Sequence, residues 1–192
     1  MHALWPSENL LLGLLAEQPM HGYELAQLMI DDETLRTIWH LKRSEVYFLL
    51  RKLAAQGHIA EMTDPEESPT LRKRQVAGPP RQIYAATPAG RAALDAWLIE
   101  PVASPRDLRA AFLAKLYLAR RRDLGMALAL LEKQCQVLRK WQERLRGTAP
   151  AEPFLILVHK LRLAQVEAAL AALDEMRAMT VAEKDSSVSG GA

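Results

Sequence analysis

A single cysteine, Cys135, stands in a chain of 192 residues, so neither an internal disulfide nor a cysteine-built metal site is available, and the fold must rest on packing. No stretch approaches the roughly 20 uninterrupted apolar residues that a membrane span needs. The N-terminus shows no basic leader or small-residue cleavage site, which predicts a cytoplasmic protein. No phosphate-cradling glycine loop, Gly-x-Ser-x-Gly elbow or ordered His, Asp and Ser grouping is present, and the reading is not that of an enzyme. The five histidines, His2, His21, His40, His58 and His159, lack metal-ligand spacing, so no metal or other cofactor is expected. Lysine and arginine are also missing from the first 33 residues, where six acids stand alone.

The positive charge is local instead. From Thr34 to Arg91 there are ten Lys or Arg against five Asp or Glu, a net of +5 in a chain whose whole charge is +2. An anionic partner requires charge gathered in this way. The apolar fraction, 49%, suffices for one substantial core or two modest ones.

Periodicity predicts the elements. Ser7 is the expected N-cap of an almost wholly apolar helix through Leu10, Leu11, Leu12, Leu14 and Leu15, ended at Gln18-Pro19. A half-buried helix follows from His21 to about Asp32, and a third from Arg43 to Gln56, stopped by Gly57. The pattern His58 to Thr63 and Gln82 to Thr87, separated by a loop rich in Pro and Gly, reads as a two-stranded hairpin with a long tip. Thr87-Pro88 opens a fourth helix that ends near Pro101. The order helix, helix, helix, strand, strand, helix is that of a winged helix-turn-helix. The fold class is therefore mainly α with a small β wing, followed after a junction at Pro101 to Pro105 by an all-helical region. The expected domains are 1–100 for DNA binding, 106–180 for dimerisation and effector response, and 181–192 as a disordered Ser- and Gly-rich tail.

On a wheel of the third helix, Val46, Leu49, Leu50 and Leu53 share one face, the core side. Ser44, Phe48, Arg51, Lys52 and Ala55 fall opposite, with Tyr47 on the flank and Lys42 and Arg43 at the start. Arginine suits guanine edges or phosphates, hydroxyls reach phosphate oxygens, and Phe48 suits thymine methyls. An ordinary amphipathic helix with solvated charges has the same pattern. The cluster Arg72, Lys73, Arg74 and Arg81 at the hairpin tip favours DNA, because cations there lie where a wing runs along the phosphates.

These residues resemble the PadR family of bacterial transcriptional regulators. The matching pieces are Leu11-Leu12-Gly13-Leu14-Leu15, Met20-His21-Gly22-Tyr23-Glu24-Leu25, Ser44-Glu45-Val46-Tyr47 through Leu53, Gly78-Pro79-Pro80-Arg81-Gln82-Ile83-Tyr84 and Thr87-Pro88-Ala89-Gly90-Arg91, covering most of residues 10 to 98. The resemblance implies DNA contact from Ser44, Tyr47 and the basic wing, homodimerisation through the C-terminal helices, and a repressor that releases DNA on sensing a small molecule. Tyr23, in the His-Gly-Tyr run, either packs or reaches a phosphate. The chain departs from the family at Phe48, where proline is common, and at His58, where leucine is common, so no operator sequence carries over.

Three helices are expected in the second half, Leu108 to Arg122, Leu124 to Arg146 and Phe154 to Met179, as in the longer branch of the family. The last is apolar on more than one face, and Leu157, Val158, Leu161, Leu170 and Leu173 are its expected dimerisation residues. A two-fold dimer presents two recognition helices about one DNA turn apart, which implies a pseudo-palindromic operator on double-stranded DNA. Trp97 and Trp141 are the candidate walls of a site for a small aromatic effector. A helical dimerisation or scaffold protein whose winged domain binds protein is the alternative; it lacks salt-dependent, sequence-selective DNA binding.

Overall fold

The computed structural model describes residues 4–62 and 82–189. The chain divides into two compact units, Met1–Trp97 and Leu98–Ala192, a boundary a few residues earlier than the junction expected from Pro101.

In the first unit α1 (Pro6–Glu17) is buried on every side from Ser7 to Ala16, as its unbroken leucines require. Its N-cap is Trp5 and not the expected Ser7, because Pro6 fixes the first helical φ and Glu8 reaches back to accept from the Trp5 N–H at 2.7 Å. The same device starts two further helices. Glu24 accepts from the His21 N–H at the head of α2 (Gly22–Asp31), and Glu45 accepts from the Lys42 N–H at the head of α4 (Arg43–Ala55). Between them lies a helix the periodicity did not reveal, α3 (Glu33–Ile38), capped by the Asp32 carboxylate on the Leu35 N–H. Six residues are too few for a 3.6-residue period to show.

The hairpin strands are β2 (Ile59–Met62) and β3 (Ile83–Ala86), paired antiparallel with Ile59 opposite Ala86. A two-residue strand not foreseen in the sequence, β1 (Met20–His21), adds to the other side of β3, giving the order β1-β3-β2. Gly57, at φ +74°, turns the chain from α4 into the sheet. The helix α5 (Pro88–Ile99) is seated on that turn: Thr87 donates through N–H to the His58 carbonyl at 3.0 Å and through its hydroxyl to the Gly57 carbonyl at 2.7 Å. This is a winged helix-turn-helix, with α2 and α4 as its helix pair and the sheet as the root of its wing.

The second unit is helical: a short 3-10 turn at Pro105–Arg109, then α6 (Ala111–Arg122), α7 (Leu124–Arg146) and α8 (Pro153–Ser189). Phe112, Leu130, Leu131, Leu138, Val166 and Leu173 fill its core. Gln134 pins the linker by accepting from the Val102 N–H at 2.8 Å and donating back to its carbonyl at 3.1 Å. Helix α8 runs about ten residues further than expected, so residues 181–189 are helical and not a disordered tail. Arg120 on α6 supplies the anchor, donating to Thr180 at 2.8 Å and pairing with Glu183. Cys135 is buried, and burial raises its thiol pKa, the opposite of what a reactive redox sensor needs. No described helix is long and apolar enough to cross a membrane.

Lys115 on α6 is only 4% exposed, and desolvation lowers its pKa from 10.5 to about 8 against a smaller opposing effect of Glu100. The unfolded chain keeps this proton up to about pH 10.5, so between those values the folded state binds fewer protons and stability rises with pH. The stability of the parent relative to Lys115→Met is expected to rise by up to about 3 kcal/mol from pH 7.5 to 10.5, read by urea denaturation at each pH. A constant difference would show that this ammonium is not desolvated.

Candidate nucleic-acid interface

Helix α4 is divided as its sequence pattern requires. Val46, Leu49, Leu50 and Leu53 are buried, whereas Lys42, Arg43, Ser44, Phe48 and Arg51 are exposed. Phe48 leaves 58% of its surface in solvent, which for a large aromatic on an otherwise charged face is a cost without a partner. Tyr47 is half-buried: its ring lies against Gly22, where an added Cβ meets the Tyr47 Cε1 at 3.0 Å. Gly22 thus lets α2 and α4 approach.

The flank of this face is built by α2. The Arg43 guanidinium lies over the exposed Tyr23 ring at 5.1 Å and donates to the Gln27 side chain at 3.1 Å, which fixes the angle at which it leaves the surface. Tyr23 therefore acts as a platform for Arg43. Gln27 was missed in the sequence, since nothing in the spacing of 16 residues pairs it with Arg43. On the other flank, Tyr84 of β3 is buried and donates through its hydroxyl to Gln82, whose amide donates to Glu61. Burial raises the Tyr84 pKa, Glu61 and Tyr47 push it the same way, and Arg51 opposes them. Arg51, Tyr47 and the root of the wing thus belong to one electrostatic neighbourhood.

Two sets of expected residues stand differently. Lys52 is not free to reach a phosphate: its ammonium pairs with the Glu8 carboxylate at 2.7 Å and sits over the Trp5 ring at 4.7 Å. Withdrawing Lys52 would leave a buried carboxylate without its counter-charge, which is costly. Arg72, Lys73, Arg74 and Arg81 lie outside the described residues. Arg91 from the same basic segment is spent inside the fold, donating to the Ala16 carbonyl at the end of α1 at 2.7 Å.

In the second unit a cleft of about 360 Å³ is lined by Trp141, Arg106, Arg162, Gln165, Leu145 and Val166 among others. Trp141 is held by its indole N–H on the Ala103 carbonyl at 2.9 Å and by Arg144 over its ring at 4.4 Å. Trp97, the other candidate effector wall, is half-buried and does not line this cleft. Among the expected dimerisation residues, Leu157 and Leu161 are exposed and Val158 is half-buried. Leu173 is buried in the core of its own unit and Leu170 packs against that core, so these two are corrected to intrachain positions. An apolar pattern records that a face is covered without saying by what.

The description "Transcriptional regulator PadR-like family" belongs to the family model that matches residues 11–96. The negative transcriptional regulator PadR of Bacillus subtilis is 27% identical over 148 residues, spanning 74% of this chain and 75% of that protein. Among solved structures, Bacillus subtilis PadR in complex with operator DNA is similar at 23% identity, with 91% of this chain and 98% of that chain covered and a TM-score of 0.43. The same regulator in complex with p-coumaric acid is similar at 22% identity, 92% and 99% coverage and a TM-score of 0.42.

Proposed function

We propose that the chain, whose residues 11–96 match the model of the PadR-like family of transcriptional regulators, is a sequence-specific DNA-binding repressor, acting in the cytoplasm as a homodimer on a pseudo-palindromic operator and released by a small aromatic ligand. The observation that carries the reading is the division of α4: a fully buried apolar side and an exposed side of Ser44, Phe48 and Arg51 flanked by Tyr47 and by Arg43 on its Tyr23 platform. A helix so arranged fits the major groove, with Arg51 and Arg43 for guanine edges or phosphates and Phe48 for thymine methyls. Repression follows the named activity of the Bacillus relative. The cleft beside Trp141 supports the effector reading, because it offers an aromatic wall with a few converging polar groups. The exposed apolar side of α8 supports the homodimer.

Selection from random duplex DNA, with the mass of the complex measured alongside, tests this reading. An inverted repeat bound by two chains is the expected result; failure to enrich any motif at low and moderate salt overturns it in favour of a protein-binding scaffold. Within the selected operator, Arg51→Ala is expected to weaken binding by roughly 10-fold to 100-fold. Tyr47→Phe, which spares the ring against Gly22 and removes only the hydroxyl, should cost less, roughly threefold to tenfold. Unchanged binding in both variants removes α4 from the groove.

A further inference from the structure

Among the residues of α4, Lys52 differs from its neighbours in having its charge answered from within. Glu8, the third residue of α1, has no exposed surface, yet one oxygen accepts from the Trp5 N–H at 2.7 Å and the other lies 2.7 Å from the Lys52 ammonium, an ion pair without hydrogen-bond alignment. The Trp5 indole closes the same ammonium from another side at 4.7 Å. A buried carboxylate stripped of its counter-charge is among the costlier defects a fold can carry, whereas one solvent-screened ion pair with a phosphate is worth little. Lys52 therefore stays with Glu8 when phosphates are near.

We propose that Glu8 is a positioning residue for DNA recognition, which withdraws Lys52 from the phosphate-binding set and ties the recognition helix α4 to α1. It rests on the DNA-binding reading above. The consequence is a helix whose exposed charge is set by Arg43 and Arg51 and not by Lys52, although sequence alone places Lys52 beside Arg51. It also gives the lone acid within the apolar body of α1 a purpose, since Glu8 fixes both the start of α1 and the position of α4 against it.

The salt dependence of binding to a duplex of mixed sequence separates this role from a merely structural one. Each phosphate neutralised by a protein cation adds about 0.9 to the steepness of log affinity against log salt. Lys52→Gln is expected to leave the parent's slope unchanged. Glu8→Gln, which keeps an acceptor for the Trp5 N–H while releasing Lys52, is expected to steepen it by about 0.9 for each subunit bound. A Lys52→Gln slope shallower by that amount, or a Glu8→Gln slope equal to the parent's in a folded protein, overturns the proposal. If either single variant fails to fold by circular dichroism, the double variant Glu8→Gln, Lys52→Gln, which leaves no buried charge unpaired, decides: a slope equal to the parent's supports the proposal and a slope shallower by about 0.9 for each subunit overturns it. A parent that shows no salt-dependent binding marks failure of the DNA-binding reading itself, recognisable because it precedes any difference between variants.

Discussion

Alanine at Gly90 is expected to destabilise the winged unit by about 3 kcal/mol or more, a large share of the about 5–15 kcal/mol that holds a domain folded. Intrinsic propensity argues the other way, since Gly90 lies inside α5 and alanine there is favoured by about 1 kcal/mol. Sterics decide. A Cβ on Gly90 meets the His58 carbonyl oxygen at 2.0 Å and its carbon at 2.9 Å, and both are backbone atoms. The oxygen cannot retreat cheaply, because it already accepts from the Thr87 N–H at 3.0 Å, beside the Gly57 carbonyl that takes the Thr87 hydroxyl at 2.7 Å. To make room, α5 must lift from the turn that joins α4 to the wing, and those hydrogen bonds open with it. Gly57 is the internal control: nothing lies within 4 Å of its added Cβ, and only its φ of +74° opposes a side chain, so Gly57→Ala should cost about 1–2 kcal/mol. Urea denaturation of both variants gives the comparison. If Gly90→Ala proves as stable as the parent, the seating of α5 on His58 is wrong.

That close approach leaves its mark in the sequence only as Thr87-Pro88-Ala89-Gly90, where the cap and first-turn chemistry are legible but the neighbour 32 residues away is not. The same distinction runs through the whole chain. The buried side of α4 was readable from the spacing of Val46, Leu49, Leu50 and Leu53, because burial by any neighbour gives the same period. Which charge on the other side is free was not readable, since Glu8 and Lys52 stand 44 residues apart and only the packing of α1 against α4 brings them together. Short elements failed for a related reason: α3 and β1 hold six and two residues and depend on a single cap or a single strand partner. At the C-terminus, composition pointed to disorder, whereas Arg120 gives Thr180 and Glu183 local partners that let α8 continue. Leu170 and Leu173 show the converse limit: an apolar stripe signals burial without naming the neighbour, and here the chain's own core takes it.

Replacing Leu157 and Leu161 together by glutamate is expected to yield a folded monomer whose operator affinity falls by roughly 100-fold or more. These residues are 63% and 60% exposed and sit one turn apart on α8, so they share a face. Phe154, also exposed, extends it. Three large apolar side chains on one face at the start of one helix form a patch that a monomer rarely leaves in water. The same helix buries Val166 and Leu173 in its own unit, so its first turns are the part left for a second chain. Two glutamates on each copy of that face would meet like charges across a two-fold interface, a repulsion added to the loss of apolar area. Neither residue belongs to the core, so the unfolding midpoint of the variant should match the monomeric parent at high dilution. Affinity collapses because the second half-site is then filled by an independent molecule and not at the high effective concentration that a linked subunit supplies. Sedimentation and operator titration read the two effects separately. A variant that remains a dimer moves the interface elsewhere, and a monomer with undiminished affinity means that one winged unit suffices for recognition.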